Sequence, residues 1–472
     1  MENICTAAYS EWAVMDVPFA QHRFSLSGVF VVPQHLQSQY IRHIAEQFSQ
    51  TVDTLQALEF DALLISAGEI LHPFRDDVDY PFKVNPYFRS WLPLLDRPGS
   101  YLWISAKSAK PILFYSQPQD IWHQINPLTD EAVQQAFDVV VIRTQRELVR
   151  QLPRDQDVAF VGVTDDCPDL STDINPPALL SAIDFYRAQK SDYEVACIQL
   201  ANVKAIKGHK AAETCFRNGG SEYDIHMAYL LATSQLEDDL PYGNIIALNE
   251  HSAVLHYTQK LRQAPGQSRS FLIDAGATVG GYASDISRTY AARGSEFDQI
   301  IDAVDNMQRR VVEQIQAGDS YLDLHLYTHR QLASLLKQFD LVTGSEDQLL
   351  ENKITQLFFP HGLGHLLGLQ VHERGGWMHT VDGSEVAPPA DHPYLRLTRP
   401  LATGQVFTIE PGLYFIDALL NPARDQDRGK LIHWGAVDKF KAYGGIRIED
   451  NIHLAADGPK NLTRQAWLVW DE

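Results

Sequence analysis

Apolar positions in the first third of the chain follow two different periods. Between Leu36 and Leu55 they recur at helical spacing, which predicts an amphipathic helix. Strands alternating with helices predict an α/β domain over residues 32–188, and the short turn between the second and third apolar runs predicts an antiparallel pair. The apolar runs of strand length are residues 61–68, 101–106, 111–116, 138–144 and 157–163.

Residues 189–472 show a different order of elements. The pattern predicts a long amphipathic helix, a second helix capped by Ser221 and Asp224, and then strands that include NIIALN, SAVLHYT and FLIDAGA. After Gly294 the order recurs, with two helices followed by the strands FTIEPGLYF and GGIRIEDNIHL. Two helices followed by strands, found twice, predict an α+β domain with an internal duplication. Residues 1–31 show no clear period and are interpreted as an unassigned N-terminal extension.

Composition and charge narrow the function. The 472 residues carry a formal net charge of −21, which argues against nucleic acid or an anionic membrane as the main partner, because both require a basic face. No apolar run approaches the length of a transmembrane helix, and no basic region precedes an apolar core at the N-terminus. The 4 Cys are scattered, without a CxxC pair, which favours a reducing compartment. We therefore expect a cytoplasmic protein.

The stretch FLIDAGATVGGYASDISRTY, residues 271–290, places two carboxylates in apolar surroundings. It is predicted to form two strands around a turn at Gly280 and Gly281, the first ending on Asp274 and the second carrying Asp285. Residues on either side of such a turn can face each other. Two carboxylates about 4 Å apart repel by roughly 4 kcal/mol at an effective dielectric constant of about 20. Folding gives no reason for that repulsion, whereas a bound metal ion would remove it.

Three more segments carry related chemistry. HGLGHLLGLQVHE holds three histidines between glycines that disfavour a regular helix, so we expect a tight loop. In VFTIEPG and GGIRIEDN, strand alternation puts each glutamate on the face opposite to the neighbouring isoleucines, and the arginine of GGIRIEDN shares the face of its glutamate. Each glutamate thus lies in an otherwise apolar strand. The residues concerned are His361, His365, His372, Glu410, Arg447 and Glu449.

Four carboxylates and a histidine suit a hard or borderline divalent cation such as Mn²⁺, Co²⁺ or Zn²⁺. Five ligands exceed one tetrahedral site, but bridging carboxylates can hold two ions about 3.5–4 Å apart. Each residue alone also has an ordinary explanation: a buried Asp caps a turn, a Glu pairs with Arg447, and histidines pack as neutral rings. Taken together, the set favours metal binding. The competing motifs HExxH, GxSxG and the phosphate-binding P-loop are absent from the sequence.

The order of these residues resembles the pita-bread metallopeptidases, which include prolidases, aminopeptidase P and methionine aminopeptidases. That order is Asp274, Asp285 eleven residues later, HGxGH, the glutamate of TIEPG and the glutamate of RIEDN. Four segments are most similar to bacterial Xaa-Pro dipeptidases and organophosphorus acid anhydrolases: DYPFKVNP, PYGNIIALNEHSAVLHYT, FFPHGLGHLLGLQVHE and FTIEPGLYFID. The resemblance runs from about residue 32 to the C-terminus. It implies a creatinase/aminopeptidase-like catalytic domain with pseudo-two-fold duplication over residues 189–472, behind the α/β domain.

The resemblance also implies a two-metal centre, with Mn²⁺ favoured and Co²⁺ or Zn²⁺ as alternatives. Asp285 and Glu449 would bridge the two ions. His361 and His372 would contact the substrate and stabilise the oxyanion or shuttle a proton. Arg447 would bind the free carboxylate of the substrate, unless it only neutralises nearby glutamates, and Glu410 would carry a proton to the leaving nitrogen. The implied metal ligands are Asp274, Asp285, His365, Glu410 and Glu449.

Further positions match the family at the substrate pocket and at a subunit contact. The pocket positions are Tyr242, Leu255, His256 and Val371; Tyr242 and Val371 are equally well explained as core residues. Asp77 matches a loop residue that reaches the neighbouring active site in a homodimer, although acidic surface loops are usually only solvated. We therefore expect a homodimer from the resemblance alone.

The activity implied by the resemblance is hydrolysis of Xaa-Pro dipeptides, with a hydroxide that bridges the two metal ions as the nucleophile. Hydrolysis of organophosphorus esters and fluorides is expected as an incidental activity, because tetrahedral phosphorus resembles the reaction intermediate. Three alternatives stay open: an Xaa-Pro aminopeptidase acting on longer peptides, a non-catalytic binding module of the same fold, and a metal-free amidinohydrolase like creatinase. The last two are disfavoured because all five ligand positions are filled.

Overall fold

A computed structural model describes residues 32–471 except 94–95, 120, 123–125 and 169–171. The predicted extension, residues 1–31, lies outside the described residues. None of the helices in this described part has both the length and the hydropathy that a membrane crossing requires.

A six-stranded sheet forms the centre of the α/β domain, with strand order β4-β3-β2-β1-β5-β6. Strands β1 and β2, and β2 and β3, pair antiparallel, while the outer pairs are parallel. The five predicted strands and the predicted antiparallel pair are confirmed. The elements are α1 (Gln37–Ala57), β1 (Ala62–Ser66), α2 (Pro86–Arg89), β2 (Tyr101–Ser105), β3 (Ile112–Ser116), α3 (Glu131–Ala136), β4 (Asp138–Ile142), α4 (Gln145–Gln151), β5 (Val158–Val161), β6 (Thr172–Ile174) and α5 (Pro177–Arg187).

The first half of the following domain places two helices before a three-stranded antiparallel sheet of order β11-β8-β7. Ser221 caps the second helix through a hydrogen bond from the N–H of Asp224, as predicted. The elements are α6 (Asp192–Arg217), α7 (Glu222–Thr233), β7 (Ile245–Leu248), β8 (Ser270–Asp274), β9 (Thr278–Val279), β10 (Tyr282–Ala283) and β11 (Ser287–Ala291).

The second half repeats this plan, with a three-stranded sheet of order β12-β15-β16 and a separate pair of β13 with β14. The repetition of helices followed by a three-stranded sheet is the predicted duplication of the pita-bread fold. The elements are α8 (Glu296–Glu313), α9 (Tyr321–Gln338), α10 (Glu346–Glu351), α11 (Ile354–Phe358), β12 (Val406–Ile409), β13 (Gly412–Tyr414), α12 (Asp417–Arg424), α13 (Trp434–Phe440), β14 (Gly445–Arg447), β15 (Asp450–Ala455), β16 (Gly458–Asn461) and α14 (Leu462–Asp471).

Two sequence-based expectations are wrong. SAVLHYT is not a strand: residues 249–253 form a 3₁₀ turn, and Asn249 has a φ of 56° while its side chain accepts hydrogen bonds from the N–H groups of Arg269 and Ser270. Asp285 does not lie in a strand either. The turn at Gly280 and Gly281 joins the short strands β9 and β10, and Asp285 falls in the irregular segment before β11.

The backbone of Asp285 is held by a side chain from the other half of the domain. Its N–H donates to Oδ1 of Asn451 at 3.0 Å, and its carbonyl accepts from Nδ2 of Asn451. Buried backbone groups need hydrogen-bond partners. Here the side-chain amide of Asn451 supplies the two hydrogen bonds that a neighbouring strand would otherwise have made. A local sequence pattern cannot reveal a partner 166 residues away.

A buried ion network joins the two halves beside this contact. Asp450, which is fully buried, accepts a hydrogen bond from Nη2 of Arg288 at 2.6 Å, and Nε of Arg464 lies 2.7 Å from its other oxygen. Burial alone would raise the pKa of Asp450, but the two guanidinium groups outweigh burial and hold the pKa below its usual value. Arg288 comes from β11 and Asp450 from β15, so this network links the two halves next to Glu449.

Replacing Asp450 by Ala is predicted to leave Arg288 and Arg464 without their shared anion. Breaking a buried ion pair in this way costs about 3–5 kcal/mol, so the midpoint of chemical denaturation should fall markedly, as followed by circular dichroism in the presence of a chelator. Asp427 is a matched control, because its carboxylate is 97% exposed in a pair with Lys430, and Asp427→Ala should leave the midpoint unchanged. Equal midpoints for the two variants would contradict the role of the network.

Candidate metal centre

The HGLGH loop is fastened to strand β12 by backbone pairing. The N–H of Thr408 donates to the carbonyl of His365 at 2.9 Å, and the N–H of Glu410 donates to the carbonyl of Leu363 at 2.8 Å. Gly364 permits this approach, because a Cβ there would lie 2.3 Å from the carbonyl oxygen of Thr408. The pairing brings Nε2 of His365 to 3.7 Å from Oε1 of Glu410.

Asp274 and Asp285 meet at the hydroxyl of Tyr242. Asp274 ends β8, and its carboxylate lies 2.7 Å from Oη of Tyr242, while the carboxylate of Asp285 lies 2.5 Å from the same oxygen. A hydroxyl carries a single proton, so the two close contacts together require a second proton on a carboxyl group. Burial, opposed by the Arg447 guanidinium and reinforced by repulsion from Asp285, raises the pKa of Asp274.

Three of the predicted ligands form the centre of the site. Asp285, His365 and Glu449 are buried, and each offers a ligand atom within 4.8 Å of the others. Nδ1 of His365 lies 3.0 Å from the carbonyl oxygen of Leu366, which can only accept, so this nitrogen carries a proton and Nε2 faces Asp285 at 3.5 Å. A hydrogen bond on the outer nitrogen is the usual way in which a metal-binding histidine is oriented.

Burial, together with crowding of the carboxylates, raises the pKa values of both glutamates. Burial raises the pKa of Glu410 to about 7, an effect that His365 and Arg447 only partly oppose. Burial, with added repulsion from Asp285 and Glu410, raises the pKa of Glu449 well above its ordinary value. Without cations, protons must hold this cluster together. Oxygen-rich ligands in such a cluster fit divalent cations, which can replace the protons.

A chain of hydrogen bonds leads from the carboxylates to His361. Arg447 is 4% exposed and donates from Nη2 to Asp274 at 2.7 Å, from Nε to Ser287 at 2.9 Å and from Nη1 to Oη of Tyr414 at 3.1 Å. Nε2 of His361 lies 2.8 Å from the same Tyr414 oxygen, and its Nδ1 lies 2.8 Å from the carbonyl of Gly362. Burial, assisted by Arg447, lowers the pKa of His361 to about 3, so the ring is neutral.

Comparison with known proteins agrees with this geometry. The family model of metallopeptidase family M24 matches residues 196–456, and the model described as the Xaa-Pro dipeptidase N-terminal domain matches residues 38–185. The chain belongs to metallopeptidase family M24. It is 44% identical over 436 residues to an Xaa-Pro dipeptidase of Shewanella sediminis, and this alignment covers 92% of this chain and 99% of the relative. A second Xaa-Pro dipeptidase, from Shewanella woodyi, is 43% identical over the same shares of the two chains.

Solved structures of aminopeptidase P from Escherichia coli share the fold of this M24 protein. The zinc-substituted enzyme in complex with product has a TM-score of 0.66 and 24% sequence identity, and the alignment covers 89% of this chain and 95% of the other. The complex with the inhibitor Pro-Leu has a TM-score of 0.67 at 24% identity, with the same shares covered. At this identity the comparison supports the fold alone.

The remaining predicted site residues of this M24 chain lie at different distances from the centre. The ring of His372 lies 4.4 Å from that of His365, and burial lowers the pKa of His372 to about 3. Leu255, next in the chain to His256, is half-buried. Val371 packs against the core cluster that contains Leu369. Asp77 lies in an exposed loop, where its N–H donates to the side chain of Asp76. Their roles in the M24 site stay predictions.

Three residues that contact the site escaped the sequence reading: Ser287, Tyr414 and Asn451. The hydroxyl of Ser287 donates to Glu449 at 2.7 Å, and Tyr414 joins His361 to Arg447. Two of them have a signal in the spacing of the sequence. Ser287 comes two residues after Asp285, and Asn451 comes two residues after Glu449. Tyr414 is brought to the site by the pairing of Gly412 with Arg447, which only the structure shows. Polar residues two positions from a predicted ligand should therefore be included in such a search.

Cation binding by this M24 site is predicted to release protons, and more of them at pH 6 than at pH 8. Because the pKa of Glu410 is raised to about 7, its carboxyl group is mainly protonated at pH 6 and mainly ionised at pH 8. Titration calorimetry of Mn²⁺ into metal-free protein, in two buffers of different ionisation enthalpy, measures the released protons. We also expect weaker apparent affinity at pH 6. Equal proton release at both pH values would contradict the assignment.

Proposed function

We propose that this M24 protein is a dipeptidase that hydrolyses Xaa-Pro dipeptides with two bound divalent cations. The observation that carries the proposal is the convergence of Asp285, His365 and Glu449 within 4.8 Å in a buried site, with Asp274 and Glu410 on either side. Relatives at 43–44% identity that carry the name Xaa-Pro dipeptidase, over 92% of this chain, supply the substrate class. They favour the dipeptidase over an aminopeptidase that acts on longer peptides.

Asp285 and Glu449 occupy the middle of the ligand set and are the proposed bridging residues. Asp274 lies on the side of Tyr242 and Arg447, and it would complete one metal site. His365 and Glu410 lie on the other side and would complete the second. Two bound cations supply an activated water as the nucleophile and stabilise the charge that develops on the scissile carbonyl oxygen.

Glu410 is the proposed proton carrier. Its Oε1 lies 3.7 Å from Nε2 of His365, while its Oε2 lies 3.7 Å from Nδ1 of His361. One oxygen thus faces a metal ligand, and the other faces a histidine at the edge of the ligand set. A carboxylate in this position can take a proton from water and pass it to the proline nitrogen as the amide bond breaks.

Arg447 is the proposed anchor for the free carboxylate of the dipeptide. Of the five N–H donors of a guanidinium group, three contact Ser287, Tyr414 and Asp274. Two donors are left, the number that a bidentate contact to a carboxylate requires. The contact of Arg447 with Asp274 also fits the alternative role, in which Arg447 neutralises the proposed metal ligands. The two roles differ in what happens to substrates that lack the carboxylate.

The native metal is proposed to be manganese, and the protein is proposed to be a cytoplasmic homodimer. Elemental analysis of protein purified without chelator tests the metal.

The loop that carries Asp77 supports the dimer, because Leu71, Phe74 and Val78 in it are 68%, 93% and 61% exposed. Apolar side chains exposed together mark interaction sites. Sedimentation equilibrium that shows only a 53.2 kDa species would contradict the dimer.

A panel of peptides tests the substrate class. We expect Mn²⁺-loaded protein to hydrolyse Ala-Pro and to leave Ala-Pro-Ala nearly untouched, because a third residue would occupy the place of the free carboxylate. Release of free alanine, measured by chromatography, gives both rates. Equal turnover of the two peptides would favour an aminopeptidase instead. Metal-free protein is the control and should cleave neither.

A second test addresses Arg447 through a substrate whose carboxylate is blocked. The wild-type protein is expected to prefer Ala-Pro to Ala-prolinamide by KM. In Arg447→Lys the preference should shrink by at least about tenfold, since each hydrogen bond to a charged group is worth about 1.5–3 kcal/mol and lysine cannot make the bidentate contact. Metal content measured on the same samples separates this effect from loss of Asp274 as a ligand. An unchanged preference with full metal content would remove Arg447 from the carboxylate role.

A further inference from the structure

Three histidines meet outside the carboxylate cluster. His325 and His329 lie one helical turn apart on α9, so they share a face. His392 packs against them from an irregular segment later in the chain. The centroids of the His325 and His392 rings are 4.5 Å apart, and those of His329 and His392 are 5.0 Å apart. Each ring offers a nitrogen within 4.8 Å of the other two.

The polar atoms of this cluster are only partly satisfied. His325 and His329 are 1% and 2% exposed. Nδ1 of His329 lies 3.0 Å from the hydroxyl of Thr355, but its Nε2 has no hydrogen-bond partner in the described part of the chain. Nε2 of His325 lies 2.8 Å from Nδ1 of His392, while its own Nδ1 is left without a partner there. Unsatisfied buried nitrogens are costly, so the packing of neutral rings does not by itself explain the arrangement.

We propose that His325, His329 and His392 form a separate binding site for one Zn²⁺ ion. Imidazole nitrogens suit zinc, and two residues spaced by four along a helix are a common source of zinc ligands. Ligands of a tetrahedral zinc ion, at about 2.0–2.1 Å each, lie about 3.3 Å from one another. The 2.8 Å contact between His325 and His392 therefore has to open by only about 0.5 Å.

The surroundings of the three rings suit a bound ion. Burial, with the mutual proximity of the rings, lowers the pKa of His325 to about 2 and that of His329 to about 3, so both are neutral and have a lone pair to give. The hydroxyl of Thr355 orients His329, as second-layer groups do around metal ligands. A cavity of about 230 Å³ borders His325 and His392 and leaves room for a water molecule as the fourth ligand.

The zinc site is distinct from the two-metal centre but close to it. Phe359 separates them: its ring lies 5.0 Å from that of His329 and 4.8 Å from that of His361. His361 also borders the cavity. None of the three histidines belongs to the ligand set around Asp285, so each site can be emptied by substitution without touching the other.

Zinc stoichiometry tests the proposal. Protein stripped with chelator, saturated with Zn²⁺ and freed of unbound metal is expected to hold three ions per chain by elemental analysis. His392→Gln, at a partly exposed position outside any helix, should hold two. The double variant Asp285→Asn with Glu449→Gln should lose the ions of the two-metal centre and keep the third. His433→Gln is the matched control, at another partly exposed histidine, and should hold three.

Wild-type protein and His392→Gln with equal zinc content would overturn the proposal. Retention of three ions by the double variant would instead contradict the proposed two-metal centre, so the two failures are distinguishable. A further measurement needs no substitution in the histidine cluster. Co²⁺ added to the double variant should produce the visible absorption of tetrahedral cobalt, and its absence would also overturn the proposal.

Discussion

Repulsion between carboxylates that are held away from water is the constraint on which the second domain depends. Asp274, Asp285, Glu410 and Glu449 lie together, and burial raises the pKa of three of them while Asp285 is held ionised by His365 and Tyr242 against the effect of burial. Such a cluster is stable only if protons or cations share it. The fold around the cluster therefore has to hold the carboxylates in rigid positions, while bound cations or protons supply the neutralising charge.

Rigid positions come from contacts that cross between the duplicated halves. Asn451 holds the backbone of Asp285, Ser287 holds the carboxylate of Glu449, and Asp450 ties Arg288 to the second half. All three contacts lie beside the ligands in the chain. The same interface that joins the halves thus sets the spacing of the candidate ligands, which explains why the candidate site lies between the halves and not within one of them.

The α/β domain and the segment that follows it fasten the loop that carries His372. Arg89 donates a hydrogen bond to the carbonyl of Leu369. Glu373, next to His372, is paired with Lys190 at 2.6 Å, and its other oxygen accepts from the N–H of Leu369 at 3.2 Å. A tightly packed loop keeps His372 near His365 without requiring a regular element. The N-terminal part of the chain therefore supports the candidate site, while the candidate ligands all come from the second domain.

The sequence by itself determined most of the elements and the residue types of the candidate site, because both depend on short-range patterns. The strands of the first domain, the cap at Ser221 and the carboxylates in apolar surroundings could all be read from neighbouring residues. Only the tertiary structure decided that Asp285 lies outside a strand, which groups hold Arg447, and that His392 joins His325 and His329. Each of these outcomes depends on a partner tens to hundreds of residues away, and a periodic pattern carries no information about such a partner.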